Sequence, residues 1–386
     1  MKMRLLTLLC LAAAFAAPGF SSQGKADEGP IRVLFLGHES EHHNSNLYYP
    51  MLSRALGRDA IYFDYVTSVE EALGDADYLG KFDALLLYAN HGRIEPHQWK
   101  NLKDYVEGGG GFVPVHCASW CFGNEPGFDK LVGGRFKSHQ GAEFAAKIVK
   151  PDHPAMKDVK EFTAWDETYF HNNHNTENRT VLMVREAMPG DPHTKPEPWT
   201  WVRTQGKGRV FYTASGHDQR VWSHSDFHQL IKSGILWSVG DKARKRYDNF
   251  IAKRTPLKYE KRGNIPNYER RPEPLQYQLP LSPEDSMKYT QVPVGFRMEL
   301  FAAEPDVINP IYMAWDERGR LWVVETVDYP NEFKDGRKGN DRIKICEDTD
   351  GDGKADKFTV FAEGFNIPTS MTFARGGVIL AHAPEF

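Results

Sequence analysis

The sequence is short of the features that mark several large classes of protein. Its 386 residues contain only four cysteines, too few for a disulfide-rich scaffold. Basic and acidic side chains nearly balance, 48 against 52, so no overall positive field exists to hold nucleic acid. No apolar run reaches the roughly 20 residues that cross a bilayer, and we predict no transmembrane span. With 40% apolar residues, the chain is typical of a globular protein of more than one domain.

The first residues are typical of an export signal. Lys2 and Arg4 precede a short apolar run from Leu5 to Ala17, which ends in small residues. A positive start, a short apolar segment and small residues after it are the parts of a secretory signal. We therefore expect residues 1–20 to be a signal peptide and the protein to be secreted or periplasmic.

Between residues 31 and 240, short apolar runs alternate with amphipathic segments. Continuous apolar runs are typical of strands that are buried on both faces of a parallel sheet. The predicted strands are Ile31–Gly37, Ile61–Val66, Ala84–Tyr88, Gly111–His116, Thr180–Arg185 and Arg209–Ala214. The predicted helices are Tyr48–Leu56, Gln98–Glu107 and Phe227–Val239. This alternation predicts an α/β domain over residues 31–240 with a doubly wound parallel sheet.

Beyond residue 240 the sequence changes character twice. Residues 241–290 are basic, contain several prolines and lack a long apolar period, which is typical of an extended linker. A local patch for an anionic partner is the alternative. Residues 291–386 carry short strand patterns separated by Asp and Gly turns, which predicts an all-β propeller. The stretch holds only about two blades of ~40–45 residues each. We therefore expect an incomplete propeller, from a longer protein or a truncated gene.

Four of the predicted strands are followed by a histidine, namely His38, His91, His116 and His217. Glu39 adjoins the first of them, and His42 and His43 come shortly afterwards. Ligands of open α/β sheets bind outside the carboxyl ends of the strands, so we predict a site where the four strand-end imidazoles converge.

A second polar segment follows at Trp165–His171, where the adjacent carboxylates Asp166 and Glu167 lie beside Tyr169. Its alternative is a half-exposed strand with solvated acids. We predict His116 and His217 to be acid–base groups or ligands of a divalent transition metal such as zinc. Asp166 and Glu167 would then polarise or orient the reacting groups. The substrate-binding residues that we predict are His38, Glu39, His91 and Tyr169. No HExxH or paired CxxC spacing decides between metal-assisted and metal-free chemistry.

The blocks GGGFVPVHCAS, TAWDETY, GKGRVFYTASGHD and GILWSVG resemble those of the ThuA-like (trehalose-utilisation) family over residues 31–240. That family is similar to class I glutamine amidotransferases, and the resemblance implies a flavodoxin-like sheet. In those enzymes a cysteine occupies the sharp strand-to-helix turn and a histidine follows a late strand. Here His116 matches the turn, Cys117 follows it, His217 matches the late histidine, and Gln219 replaces the expected Glu. The resemblance thus implies processing of keto-sugars or glycosides rather than a cysteine amidase. It leaves open whether Cys117 is reactive or paired with Cys121.

The blocks LPLSPEDSMKY and DTDGDGKADKFTVFAEGFNIPTS resemble the start of the propeller in large secreted proteins labelled membrane-bound dehydrogenases. Those proteins are similar to soluble quinoprotein sugar dehydrogenases, and ThuA-like modules are fused to their propeller. The resemblance therefore implies an oxidoreductase context, with further blades and a haem module outside this chain. No CxxCH motif for haem attachment occurs here.

An acidic segment within the predicted propeller could bind calcium. Asp348, Asp350, Asp352 and Asp356 supply carboxylates at mostly alternate positions, with Gly353 at the sixth position. Such a loop can wrap a hard cation with oxygen ligands. Thr359 replaces the glutamate expected at the twelfth position, so the segment is not a full EF-hand, and an acidic β-turn is the alternative.

Together these features predict an exported protein that processes carbohydrates. Its partner would be a carbohydrate ligand rather than nucleic acid. One alternative is a non-catalytic sugar-binding accessory module of a propeller oxidoreductase. The other, with less support, is a cysteine amidase.

Overall fold

The computed structural model describes residues 27–261, 276–329, 334 and 339–382. The chain divides into two compact units, the first ending at Lys253 and the second beginning at Arg254. The predicted signal peptide, residues 1–20, lies outside the described residues. Among the helices of the described ranges, none has the length and apolar character needed to cross a membrane.

The first unit alternates strands and helices. Its strands are β1 (Ile31–Leu36), β2 (Ile61–Val66), β3 (Ala84–Leu87), β4 (Gly111–Pro114), β5 (Arg135–Ser138), β6 (Gly141–Ala145), β7 (Lys147–Ile148), β8 (Thr163–Glu167), β9 (Phe170–Asn172), β10 (Arg179–Arg185), β11 (Glu197–Gln205) and β12 (Gly208–Thr213). Its helices are α1 (Ser45–Gly57), α2 (Val69–Leu73), α3 (Ala76–Leu79), α4 (Pro96–Glu107), α5 (Pro126–Val132), α6 (Gln219–Trp222), α7 (Ser225–Ser238) and α8 (Asp241–Ala252). Short 3₁₀ helices occur at His116–Trp120 and Pro154–Met156.

The first unit is built on an eight-stranded sheet in the order β2-β1-β3-β4-β12-β11-β10-β7. The strands from β2 to β12 pair in parallel, and those from β12 to β7 pair antiparallel. The predicted α/β class is therefore confirmed, but the sheet is mixed rather than parallel throughout. The reason is the tight turn at Gly206 and Lys207 between β11 and β12, since so short a connection can only join antiparallel strands.

All six predicted strands of the first unit are present, within two residues of their predicted ends. Strands β1 and β3 are almost wholly buried, as expected for continuous apolar runs covered on both faces. The sequence did not predict β11, whose run contains Pro198. That proline lies beside an irregularity in the pairing with β10, where a missing N–H is tolerated.

Local signals explain the helices that flank the site. In α1 the side chain of Asn44 accepts from the Leu47 amide, and Tyr48, Leu52 and Leu56 share the buried face. Helix α4 begins with a reciprocal capping contact between Glu95 and Gln98. Both helices therefore start and end close to where helical periodicity predicted them.

Residues 241–252 correct the prediction of a linker over 241–290, because they form helix α8 instead of extended chain. Ala243, Arg246 and Tyr247 are buried on one face of α8. The Arg246 guanidinium pairs with Asp83 at 2.5 Å (Nη2 to Oδ2) and donates to the Pro30 carbonyl at 2.8 Å. The sequence did not predict this buried face because the segment is basic. Arg246, one of its arginines, is buried and paired rather than exposed to solvent. Residues 262–275 of the predicted linker lie outside the described residues.

The second unit consists of small antiparallel sheets. Its elements are β13 (Tyr259–Lys261), β14 (Gln276–Gln278), α9 (Pro283–Met287), β15 (Pro310–Trp315), β16 (Leu321–Glu325), β17 (Asp341–Glu347), β18 (Lys357–Phe365), β19 (Pro368–Ala374) and β20 (Gly377–His382). Strands β15 to β18 form a four-stranded sheet, and β13–β14 and β19–β20 form two-stranded sheets. Strand β16 is buried on both faces, with Trp322 and Val324 in one apolar cluster and Leu321 and Val323 in another. The described residues of this unit do not close into a propeller, and the propeller stays a prediction.

Candidate functional site

Four side chains from separate segments of the first unit converge at the carboxyl ends of its parallel strands. His43 lies in the loop between β1 and α1, His116 begins the 3₁₀ helix that follows β4, Glu167 ends β8, and His217 follows β12. Each offers one ligand atom, and these four atoms all lie within 4.8 Å of one another. We call these four residues the His–Glu cluster.

Glu167 is the centre of the His–Glu cluster. Its Oε2 atom lies 3.2 Å from His116 Nε2 and 3.6 Å from His43 Nε2. Its Oε1 atom lies 3.3 Å from His217 Nδ1 and 3.4 Å from Nδ1 of the more exposed His139. One carboxylate therefore faces four imidazole rings, three of which belong to the cluster.

The backbone around His116 forms the sharp turn that the resemblance to amidotransferases implies. His116 has a φ of +49° in the left-handed region and begins the 3₁₀ helix after β4. The loop after β12 approaches it closely, since a Cβ on Gly216, whose φ is +136°, would lie 3.3 Å from the His116 Cβ. The Tyr169 ring stacks on the His116 ring at 4.1 Å between centroids. This turn places the His116 imidazole, rather than the Cys117 thiol, at the centre of the site.

Hydrogen bonds on the far side of two rings fix their orientation. His116 Nδ1 lies 2.6 Å from the Ala214 carbonyl oxygen. His43 Nδ1 lies 2.8 Å from the Asn90 side-chain oxygen. Because these oxygens can only accept, both Nδ1 atoms carry the hydrogen, and in the neutral ring each Nε2 presents a lone pair to Glu167.

Burial sets the charge of the cluster residues. Complete burial lowers the pKa of His116 to about 3, although its contact with Glu167 acts in the opposite direction. Burial alone would raise the pKa of Glu167, but contacts with His116, His217 and His43 outweigh it and hold that pKa well below its usual range. Burial opposes the charged form of His217 too, yet its contact with Glu167 raises the His217 pKa. Glu167 is therefore ionised and His116 neutral near neutral pH.

Asp166, predicted beside Glu167 as a polarising or orienting group, has its oxygens occupied by backbone groups. It accepts from the amides of Glu167 and His217 on Oδ1, at 2.9 and 3.1 Å, and from the Gly216 amide on Oδ2 at 3.0 Å. Burial raises the pKa of Asp166 to about 7 against the effect of these donors. The contacts tie the end of β8 to the loop that carries His217, which positions that ligand atom.

Two of the predicted substrate-binding histidines hold loops in place instead of joining the cluster. His38 donates from Nε2 to the His43 carbonyl at 2.9 Å and accepts from the Asn90 amide on Nδ1 at 3.2 Å. His91 donates from Nε2 to the Gly37 carbonyl at 2.9 Å. Glu39 is exposed and accepts from the Thr67 hydroxyl at 3.4 Å. Of the predicted substrate-binding residues, only Tyr169 contacts a cluster ring.

His43 and His139 are the residues that the sequence did not assign to the site. A signal existed for His43, which follows the first predicted strand within a few residues of His38. His139 lies between β5 and β6, neither of which was predicted, so nothing in the sequence brought it near Glu167.

Cys117 and Cys121, the cysteines of the first unit within the described residues, are buried and free. Cys117 and Cys121 form no disulfide in the structure. Burial raises the pKa of Cys117 well above its usual value and that of Cys121 to about 12. Buried protonated thiols are poor nucleophiles, which weighs against the cysteine amidase alternative.

The predicted calcium loop brings together three of its four acids. Asp348, Asp350 and Asp356 offer oxygens within 4.8 Å of one another, whereas Asp352 is not in that group. Asp348 already accepts from the amides of Gly351 and Gly353, at 2.7 and 2.9 Å. An acidic β-turn and a cation-binding loop would both show such contacts, so calcium binding stays a prediction.

The first unit is thus an α/β domain that carries a buried imidazole–carboxylate site at the ends of its parallel strands. Residues 32–238, more than half of the chain, match the model of the trehalose utilisation family, ThuA. The chain therefore belongs to the ThuA family, which confirms the resemblance and indicates a sugar-related role. Residues 282–386 match a second model, described as a domain of unknown function, DUF7133.

Solved structures similar to this chain include other ThuA-like proteins. One from Parabacteroides merdae ATCC 43184 is 19% identical, with 54% of this chain and 90% of that chain covered and a TM-score of 0.48. One from Bacteroides uniformis ATCC 8492 is 17% identical, with 56% and 94% covered and a TM-score of 0.47. A cytoplasmic protein from Salmonella typhimurium LT2 is 16% identical, with 57% and 99% covered and a TM-score of 0.38. No curated protein matches the chain significantly.

Proposed function

We propose that the first unit is a carbohydrate-processing enzyme whose reaction centre is the His–Glu cluster. The observation that carries the proposal is the convergence of four chemically active groups from four separate segments on one point. A buried carboxylate surrounded by imidazoles is costly to assemble and contributes little to folding, so such clusters are typical of functional sites. The sugar-related role of the family supports a sugar as the substrate, and within that class we propose a keto-sugar or a glycoside.

The cluster suits reactions at the hydroxyl or carbonyl groups of a sugar. Imidazoles can move protons to and from such oxygens, and a cation held by the same nitrogens can polarise them. Tyr169 supports this role, because its ring covers one face of His116 and limits how that side chain can move. The Asp166 contacts to Gly216 and His217 support it too, since they hold the late histidine in place.

Turnover of keto-sugars and glycosides by the purified full chain, followed by NMR, tests the proposal. We expect His116→Gln and the less buried His217→Gln to reduce turnover by about 10²-fold or more. The matched control is His97→Gln, which removes an exposed histidine on α4 that contacts Glu70 instead of the cluster. Far-UV circular dichroism would show that each variant is folded. Unchanged turnover in both cluster variants would contradict the proposal.

The second candidate is a sugar-binding module without chemistry of its own. It is favoured by the buried position of the cluster, with His116 fully buried and Glu167 nearly so. It predicts saccharide binding by calorimetry with no product formed under any condition. Saccharide binding without turnover would therefore support the sugar-binding module and contradict the proposed enzyme.

We also propose that the protein is exported and works beside an oxidoreductase module. Support for export is the signal-like pattern of residues 1–20, and support for the module is the all-β second unit with its dehydrogenase-like sequence blocks. Fractionation of cells that express the full chain tests export. Retention of the uncleaved chain in the cytoplasm would contradict it.

A further inference from the structure

We propose that the His–Glu cluster binds one divalent transition-metal ion through His43 Nε2, His116 Nε2, His217 Nδ1 and a Glu167 oxygen. The inference deepens the proposed function, since the ion would lie at that reaction centre. It is nevertheless tested by metal binding alone, without any substrate.

The first step is the direction in which the nitrogen lone pairs point. The acceptors behind the rings, Asn90 Oδ1 and the Ala214 carbonyl, hold the hydrogens of His43 and His116 on Nδ1. In the neutral rings both Nε2 atoms therefore present a lone pair to the Glu167 carboxylate, at 3.6 and 3.2 Å.

The second step is that two of the cluster nitrogens have no hydrogen-bond partner. His43 Nε2 and His217 Nδ1 are buried and make no hydrogen bond to any described residue. Buried polar atoms are nearly always satisfied, so two orphans aimed at one carboxylate require an explanation. A proton can lie between only one nitrogen and one oxygen, whereas a metal ion can bind three nitrogens and the carboxylate at once.

The third step is the local backbone. His43 and His116 both have φ values in the left-handed region, +55° and +49°. Only a few per cent of residues other than glycine adopt this conformation, histidine more often than most, and such residues are concentrated at functional sites. Here it turns two imidazoles from neighbouring loops toward the same carboxylate.

The chemistry of the donors selects the ion. Three neutral imidazoles and one carboxylate suit zinc and related divalent transition ions, whereas calcium and magnesium prefer oxygen donors. His116 Nδ1 and His43 Nδ1 donate to oxygens behind the rings, as is usual for metal-binding histidines. Accordingly, we expect Zn²⁺ and Co²⁺ to bind and Ca²⁺ not to bind at this cluster.

The test uses the full chain, stripped with a chelator and titrated with Zn²⁺ and Co²⁺. We expect one ion per chain by elemental analysis, and visible Co²⁺ absorption bands from nitrogen and oxygen ligands. His43→Gln and Glu167→Gln should each weaken Zn²⁺ binding by at least about 100-fold, since loss of mere supporting contacts already costs about 10–100-fold. His217→Gln, at a less buried position, provides a third variant in case the first two do not fold.

Two control variants separate this site from other metal-binding groups. His97→Gln removes an exposed histidine outside the cluster, and Asp350→Asn alters the acidic loop of the second unit. Neither should change Zn²⁺ affinity. Failure to bind a stoichiometric ion, or an affinity that changes only in Asp350→Asn, would overturn the inference. Metal binding without sugar turnover would support the inference and contradict the proposed enzyme, whereas sugar turnover by a chain that binds no stoichiometric ion would contradict the inference and support the enzyme.

Discussion

His43 Nδ1 lies 2.8 Å from the side-chain oxygen of Asn90, and this contact decides which nitrogen of His43 faces Glu167. The same Asn90 donates its backbone amide to His38, which in turn donates to the His43 carbonyl. Asn90 and His38 therefore hold both the ring and the backbone of His43. They act on the site through His43, and neither is among the four residues of the cluster.

The first prediction concerns Asn90. Asn90→Leu removes the acceptor behind His43, so the ring can turn or change tautomer, and we expect Zn²⁺ affinity to fall by about 10–100-fold. Asn90→Asp keeps an acceptor at this position and should retain the affinity. Competition with a chromophoric chelator measures both values. Equal weakening in the two variants would mean that an accepting oxygen behind His43 is not what sets the Zn²⁺ affinity.

The second prediction concerns Asp166, which accepts from three backbone amides. Asp166→Ala leaves these donors without their acceptor in a buried place, and we expect a loss of about 2–4 kcal/mol in the free energy of unfolding. Asp166→Asn keeps one accepting oxygen and should lose less. Urea unfolding measures both, with the exposed Asp152→Ala as the control. If Asp166→Ala were as stable as that control, these contacts would not position His217 as argued.

The parts of the site that the sequence predicted best are those that follow from the order of the strands in the sheet. His116 and His217 follow β4 and β12, which pair in parallel, so their meeting follows directly from the strand order. His38 and His91 also follow parallel strands, yet their rings bond to backbone carbonyls. The position of a residue along its strand determines the edge of the sheet at which it lies. The orientation of its ring depends on side-chain contacts, which the apolar periodicity of the sequence does not predict.

The rest of the site depends on irregular backbone. His43 reaches Glu167 through a left-handed residue in a loop, and Glu167 ends a strand of the separate β6–β8 sheet. Neither the loop that carries His43 nor the strand that ends at Glu167 shows a periodic apolar pattern. The sequence therefore could not predict that these two residues meet. Helix α8 escaped prediction for a different reason, since its buried face includes a charged residue whose partner, Asp83, is distant in sequence.

The third prediction follows from that pair. Arg246→Met leaves Asp83 buried without its partner, and we expect a loss of about 3–5 kcal/mol in the free energy of unfolding. The double variant Asp83→Leu with Arg246→Met removes both charges and should recover part of this loss, since Asp83 also accepts from the Arg32 amide. On the same helix, Arg244 pairs with Asp248 at the surface, so Arg244→Met should cost no more than about 1 kcal/mol. Similar losses in the Arg244 and Arg246 variants, measured in urea, would show that the buried pair does not anchor α8.

The fourth prediction concerns the thiols, which separate a His–Glu site from a cysteine amidase. Cys121 donates to the Ala89 carbonyl at 2.9 Å, and burial raises its pKa to about 12 and that of Cys346 to about 11. We expect iodoacetamide at pH 8 to label these cysteines and Cys117 only after unfolding in urea, with mass spectrometry as the measurement. Rapid native labelling of Cys117 would favour the amidase instead.

The same burial gives the thiols a pH signature. In the unfolded chain a thiol ionises above about pH 8.5, whereas Cys121 stays protonated in the folded protein to about pH 12. The unfolded state therefore binds fewer protons in this window, and stability falls as the pH rises, by about 1.4 kcal/mol per pH unit for each such thiol. Cys121→Ala should lower the free energy of unfolding at pH 7.5, because it creates a cavity. Between pH 8.5 and 10, however, the free energy of unfolding of this variant should fall less steeply than that of the unaltered protein. Urea unfolding across that pH range measures how steeply the free energy of unfolding falls in each protein. Identical slopes would show that Cys121 also ionises in the folded state, as a solvent-accessible thiol does.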